Sequence, residues 1–461
     1  MKKFSIVTGS ILAFLILLFF VCTDPVIQAS YLNSDYYKTT TSLIDSLKKS
    51  SVILNDSIQA GFARVSITPV LNSTEDNVAE GKFSKVPLAG FGARKGKPAT
   101  GVHDSIFVKA VALKSGSQTL VMVAADLLIM PPNIIDSVID VLAQKGIQRQ
   151  QVYFSATHTH SSLGAWGPGF VGGQFAGDEN KNIERWLVQQ ISKAVTTSLK
   201  DLKPAKIGTG SFNAAPYTRN RVVGDAGTKN DDFSFIEVEQ IGHKKAILGS
   251  FSAHSTTMGA GNMEISADYP GYWVRKMEKT SFDYALFFAG SVGSQSPSGE
   301  GKGFDRPKMI GESLADSLVR HLPSCETNGK VKFTAMSVRV QLPEYHMRLT
   351  TKLNLSTFLS KQLMPLPQNA YLQAVRIGKM VWISAPCDFS GEYALQIKQA
   401  LAARGFNANV TSFNGSYVGY IVPGRYFYLD EYEPKLMGWF GPTMGDYTMD
   451  LIHQITEIVT K

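Results

Sequence analysis

Val152-Tyr-Phe-Ser-Ala-Thr-His158-Thr-His160-Ser-Ser-Leu-Gly-Ala-Trp166-Gly-Pro168 carries two histidines where an apolar run gives way to a loop. In a strand, residues two apart share a face, so His158 and His160 are expected to present both imidazoles to one cleft while Thr157 and Thr159 face away. This is metal-ligand spacing. A lone His-x-His also arises by chance as two satisfied core histidines, so further ligands must decide between the two readings.

Outward from that stretch, Leu120-Val-Met-Val-Ala-Ala-Asp126 and Gln151-Val-Tyr-Phe-Ser155 flank residues 132–146. There Ile134, Ile135, Val138, Ile139 and Leu142 recur at the spacing of a helix's buried face. Strand, helix, strand with apolar strands implies parallel pairing in a covered sheet. Further strands are expected at 61–69, 106–113, 233–240, 244–253, 284–289, 331–342, 370–377 and 379–384, and helices at 182–199, 269–279, 308–322, 391–404 and 448–460. The expected fold class is α/β, with mixed β-sheets, flanking helices and an active site at strand C-terminal ends.

With 461 residues, 44% hydrophobic and 18% charged, the chain has ample material for a core. Its +8 net charge is dispersed, with no basic run denser than Arg94 to Lys97 or Lys48-Lys49, which argues against a nucleic-acid partner. The mildly basic balance suits an anionic membrane surface. Lys2-Lys3 followed by the apolar run Ile11 to Val21 has signal-peptide character, so residues 1–29 are expected to be a signal peptide or N-terminal anchor of an exported protein, periplasmic, extracellular or held at the membrane. Residues 30–59 are Ser/Thr/Asn-rich with an amphipathic helix around Thr41 to Lys49 and read as a tether, leaving 60–461 as the catalytic domain. Cys22, Cys325 and Cys387 form no Cys-x-x-Cys, so any metal must be held by histidine, carboxylate or other oxygen ligands.

Phe251-Ser-Ala-His254 places a third histidine at a strand end, as for His158. Asp388, in Ile383-Ser-Ala-Pro-Cys-Asp388-Phe-Ser-Gly-Glu392, sits where an apolar strand meets a helix; it reads as a carboxylate ligand or as a helix N-cap, for which Ser390 and Glu392 are also typical. Ser296 is followed by proline and lacks the Gly-x-Ser-x-Gly elbow of a serine hydrolase. Four strands precede the His-x-His, whereas in a TIM-barrel amidohydrolase it follows the first.

Taken together, Ala60-Gly-Phe-Ala-Arg-Val-Ser-Ile-Thr-Pro69, Leu88-Ala-Gly-Phe-Gly, Gly101-Val-His-Asp104, Ser155 to Ser161, Asn220-Arg221, the His254 segment, Asp268-Tyr-Pro-Gly-Tyr272 and the Gly290 to Ser298 loop resemble, in that order, the neutral/alkaline non-lysosomal ceramidases. Tyr420 and Tyr432, twelve residues apart before Phe440-Gly-Pro442, extend the resemblance. It implies one Zn²⁺ per chain, held by His158, His254, Asp388 and Tyr420, with His160, Arg221, Ser296 and Tyr432 lining the scissile bond. The implied activity is hydrolysis of the amide of ceramide or a related N-acyl lipid. The alternatives are another amide, ester or lactone on the same site, or an exported binding protein without turnover. Three departures stand out: Asp388 replaces the family's Glu, the loop Gly293-Ser-Gln-Ser296-Pro-Ser298 lacks its Asp and Asn, and Ser161-Ser-Leu-Gly-Ala-Trp166 replaces a small Ser-Gly-Pro-Gly run. The family's C-terminal immunoglobulin-like domain is not expected after the last helix.

Overall fold

The computed structural model describes residues 2–461, and its large sheet has twelve strands: β1 (Leu54–Ser66), β2 (Phe107–Ser115), β3 (Gln118–Ala125), β4 (Val152–Ala156), β5 (Lys203–Asn213), β6 (Asp232–Gln240), β7 (Lys245–Phe251), β8 (Tyr284–Ala289), β9 (Lys330–Gln341), β10 (Asn369–Ile377), β11 (Met380–Ser384) and β12 (Asn407–Thr411). The sheet branches at β1. One edge of β1 pairs with β2, which leads on to β3 and β4; the other pairs with β9 over its first residues and with β5 over Ile58 to Ala60. The branches share one buried cluster, in which Phe62, Val111, Met122 and Tyr153 pack with Leu248, Phe288 and Trp382. Burial of each such aromatic contributes on the order of 2–3 kcal/mol.

Among the described residues the α-helices, in chain order, are α1 (Lys2–Cys22), α2 (Asp35–Ser50), α3 (Pro132–Ala143), α4 (Gly169–Ala176), α5 (Lys181–Lys200), α6 (Asp268–Thr280), α7 (Asp305–His321), α8 (Thr357–Leu363), α9 (Gly391–Ala402) and α10 (Met444–Val459). The outer faces of the sheet are covered by α3 and α5, by α6 and α7, and by α2, α9 and α10. Three strand–helix–strand units give the parallel pairs that matter: β3–α3–β4, β7–α6–β8 and β11–α9–β12. Parallel pairing points both strands of a unit the same way, so the loops after β4, β7, β8 and β11 all leave from carboxyl ends. Those loops carry His158, His160, His254, Ser296 and Asp388, whereas Arg221 follows β5 and Tyr420 and Tyr432 follow β12.

The fold agrees with the α/β expectation, and several elements differ from it. β1 starts at Leu54, ahead of the expected residue 61. β5 was hidden by Pro204, which sits near its start opposite Gln59, where the loss of one donor is tolerated. The stretch read as a tether is docked: Ser34 caps α2, Ile44 is buried, and Thr40 Oγ1 shares a 2.9 Å hydrogen bond with Tyr447 Oη of α10. Its apolar stripe needed a surface and found α10 and β9. Thr23 to Pro25 pairs with Leu353 to Leu355. The side chains Ile11 and Phe14 to Val21 of α1 are exposed, and no described helix is long and apolar enough to cross a membrane.

Candidate active site

β4 ends at Ala156, so His158 and His160 lie just beyond it, and His158 takes a left-handed φ of 61°. A histidine held there costs energy that the surroundings must impose, a condition that clusters at functional sites. The expected strand alternation therefore does not bring the two imidazoles together; the strained turn does. Their Nε2 atoms stand 3.2 Å apart.

Each metal-type histidine is oriented from behind. His158 Nδ1 lies 2.6 Å from the Leu128 carbonyl, and His254 Nδ1 lies 2.8 Å from the Val292 carbonyl. A carbonyl only accepts, so both Nδ1 atoms carry the proton and both Nε2 lone pairs point inward. Asp388 Oδ1 stands 3.4 Å from His158 Nε2 and 3.2 Å from His254 Nε2, and Tyr420 Oη is 2.9 Å from His254 Nε2. Donors placed about 2.0–2.1 Å from a tetrahedral cation lie about 3.3 Å from one another, which is the spacing seen. Asp388 Oδ1 is itself buried without a hydrogen-bond partner, whereas Oδ2 accepts from Tyr417 Oη at 2.7 Å. A buried carboxylate oxygen left bare beside two inward lone pairs fits a cation. His158, His160 and His254 also place one nitrogen each within 4.8 Å of one another, so His160 faces the same point.

The electrostatics agree. Burial lowers His158 to about 3 and holds His160 and His254 well below the ordinary imidazole value, so all three are neutral, as ligands must be. Burial raises Asp388 and lifts Tyr420 well above the usual phenol, while Tyr432 is pushed up to about 12 by burial and then Asp388. Burial opposes the Arg221 charge, but Tyr420, Glu433 and Asp388 more than offset it. Its Nη2 donates to Tyr420 Oη at 3.0 Å and its Nε is 2.8 Å from Glu433 Oε1.

His158, His160, Asp388, Tyr420 and Tyr432 line a largely apolar cleft of about 320 Å³, whose walls include Trp166, Phe175, Leu366 and Trp439. His254 and Arg221 join through their bonds to Asp388 and Tyr420. Ser296 does not line the cleft; it lies in the short strand Gln295 to Pro297 paired with Thr218 to Asn220. The same loop reaches the site instead through backbone carbonyls, Val292 and Gln295 toward His254 and Gly293 toward Arg221. A side chain at Gly293 would meet the Asp388 carbonyl at 2.5 Å, so glycine permits the close approach of loop and strand. Tyr417 and Glu433 were not anticipated. Both stand in the Tyr/Glu-rich stretch 415–433 that also holds Tyr420 and Tyr432.

Residues 76–301 match the family described as neutral/alkaline non-lysosomal ceramidase, N-terminal. Among solved structures, the neutral ceramidase from Pseudomonas aeruginosa superposes with a TM-score of 0.72 at 18% identity, covering 88% of this chain and 74% of that one. A structure described as ceramidase complexed with C2 gives 0.73 at 18% identity, covering 88% and 75%.

Proposed function

Because residues 76–301 match the neutral/alkaline non-lysosomal ceramidase family and the fold is that of neutral ceramidase structures, we propose that the chain is a member of this family and hydrolyses the amide of ceramide or a related N-acyl lipid, using one zinc ion. The observation that carries this reading is the convergence of His158, His254, Asp388 and Tyr420 on one point in the wall of an apolar cleft. Zinc held there supplies a Lewis acid for the amide carbonyl and a bound water of pKa about 7.

The chain's own residues divide the remaining work. Trp166, Phe175, Leu366 and Trp439 remove an aliphatic chain from water at about 0.8 kcal/mol per methylene. This dry wall also strengthens every polar contact made within it. Neutral His160, with Nε2 facing the cluster, is placed to accept a proton and return it to the leaving amine. Arg221 holds a fixed positive charge at Tyr420 and His254, where negative charge develops on the carbonyl oxygen. Tyr432, half-exposed and edge-on to Tyr420 at 6.1 Å, is a phenol donor at the mouth.

The test is release of fatty acid from a fluorescent N-acyl sphingosine by the full chain, with and without a chelator, beside its zinc content. Chelator-sensitive release supports the reading. One zinc per chain without release turns it toward another amide, ester or lactone, an alternative favoured by the bulky Trp166 in the wall and by Ser296 standing outside it.

A further inference from the structure

Glu392 is a carboxylate only 2% exposed that the chemistry above leaves unused. It stands in the first turn of α9, where unpaired backbone N–H groups favour negative charge. Its Oε1 accepts from Asn220 Nδ2 at 2.7 Å, and its Oε2 accepts from the Ser294 and Ser390 hydroxyls at 2.6 Å each. All three partners are neutral side chains.

Each partner belongs to a different segment of the site. Asn220 precedes Arg221, and its Oδ1 accepts from the backbone N–H of Val222 and Val223 at 3.0 and 3.1 Å, fixing the turn that carries the guanidinium. Ser294 lies between Val292 and Gln295, whose carbonyls seat His254, and its own carbonyl accepts from Arg221 N at 2.9 Å. Ser390 follows Asp388 by two residues. The turn of Arg221, the seat of His254 and the strand of Asp388 thus meet on one buried carboxylate.

We infer that Glu392 is a positioning residue, setting Arg221 and the 290–298 loop relative to Asp388. Its activity readout rests on the proposed hydrolysis; its metal readout does not. Glu392→Gln isolates the role, because glutamine has one accepting and one donating end. With Nε2 toward Asn220, two amino groups face each other, and Asn220 cannot flip without releasing Val222 and Val223. With Nε2 toward the serines, their hydroxyls must turn to accept, and Ser294 Oγ, which already accepts from Gly391 N at 3.0 Å, is left with an unmatched O–H. Either orientation leaves one of the three contacts mismatched.

The experiment measures zinc affinity by chelator competition, the cobalt(II) absorption spectrum, and kcat and KM, on full-length wild type, Glu392→Gln, Ser294→Ala and Ser390→Ala. Glu392→Gln should weaken zinc affinity or kcat by about 10–100-fold, the usual effect of losing an outer partner of a metal ligand, with KM within about twofold and an altered cobalt spectrum. Each serine variant should show a smaller loss in the same readouts, and these two decide the matter if Glu392→Gln does not fold. Tyr447→Phe, which removes a remote buried hydroxyl from Thr40 and the Gln341 carbonyl, controls for stability and should leave zinc affinity and kcat unchanged. Unchanged affinity, spectrum and kcat in Glu392→Gln and both serine variants would overturn the inference, as would equal losses in Tyr447→Phe. If wild type cleaves no N-acyl lipid, the proposed function fails while the zinc and cobalt readouts still judge Glu392.

Discussion

Tyr417→Phe removes one hydroxyl and is expected to weaken metal binding more than it weakens the fold. Tyr417 Oη donates to Asp388 Oδ2 at 2.7 Å, and burial followed by the nearby Asp388 holds the phenol well above its usual range, so it is the donor. Phenylalanine keeps the ring contacts to Phe413 and Trp439, at centroid distances of 6.3 and 5.9 Å. A hydrogen bond to a charged group contributes about 1.5–3 kcal/mol net. At about 1.4 kcal/mol per decade, that corresponds to roughly a ten- to hundredfold loss of affinity for a cation that needs Asp388 ionised. The effect should grow in mild acid. Burial already raises Asp388 toward its protonated form, with His158 and Tyr417 among the groups opposing it, so removing the phenol lets protons compete better. Chelator competition with zinc, at neutral and mildly acidic pH, measures both effects. Affinity within about twofold of wild type at both pH values would refute the assignment of Asp388 as a ligand, since an anchored ligand does not lose such a donor without consequence.

His158→Ala and His254→Ala should each abolish stoichiometric zinc in atomic absorption, whereas His160→Ala should keep zinc and lose turnover; zinc lost from His160→Ala would make it a ligand. Ser296→Ala should lower kcat far less than Tyr432→Phe, because only Tyr432 lines the cleft, and the reverse ranking would restore Ser296 to the reacting centre. Asp126, raised to about 6 chiefly by burial, binds its proton more tightly folded than unfolded, so the stability it contributes is fully present below about pH 4 and lost as pH rises through about 6. Asp126→Asn can keep the 2.8 Å bond from Phe107 N through its own oxygen, so it should stabilise the chain by up to about 3 kcal/mol at neutral pH and little in acid, read from denaturant midpoints; an equal effect at both would discount the shift.

How much of this was legible follows from the range over which each feature is determined. The strand–helix–strand unit around α3 is written in local periodicity, Ile134, Ile135, Val138 and Leu142 on one face between two apolar strands, and local patterns survive into structure. β12 is not, because Asn407-Ala-Asn-Val-Thr411 is polar at three of its five positions and is a strand only because β11 lies beside it. The same division runs through the site. Strand-end histidines could be found by their position, but the convergence of His158 and His160 depends on a left-handed turn that no propensity predicts, and it is held by Arg94, whose guanidinium donates to the His160 carbonyl and to those of Ala89 and Asn262. Asp388 and Ser390 could both be read as N-cap residues; Ser390 is the N-cap position of α9, yet its hydroxyl is spent on Glu392 and Asp388 is free to face the histidines. Glu392 was visible only as a helix-start residue. Its three partners are 172, 98 and 2 residues away, and a carboxylate that ties segments so far apart has no signature in a window of sequence. The residues that do the chemistry announce themselves by type and local setting, whereas those that hold them in place are defined by the tertiary fold alone, and are found by asking which buried charge has no assigned task.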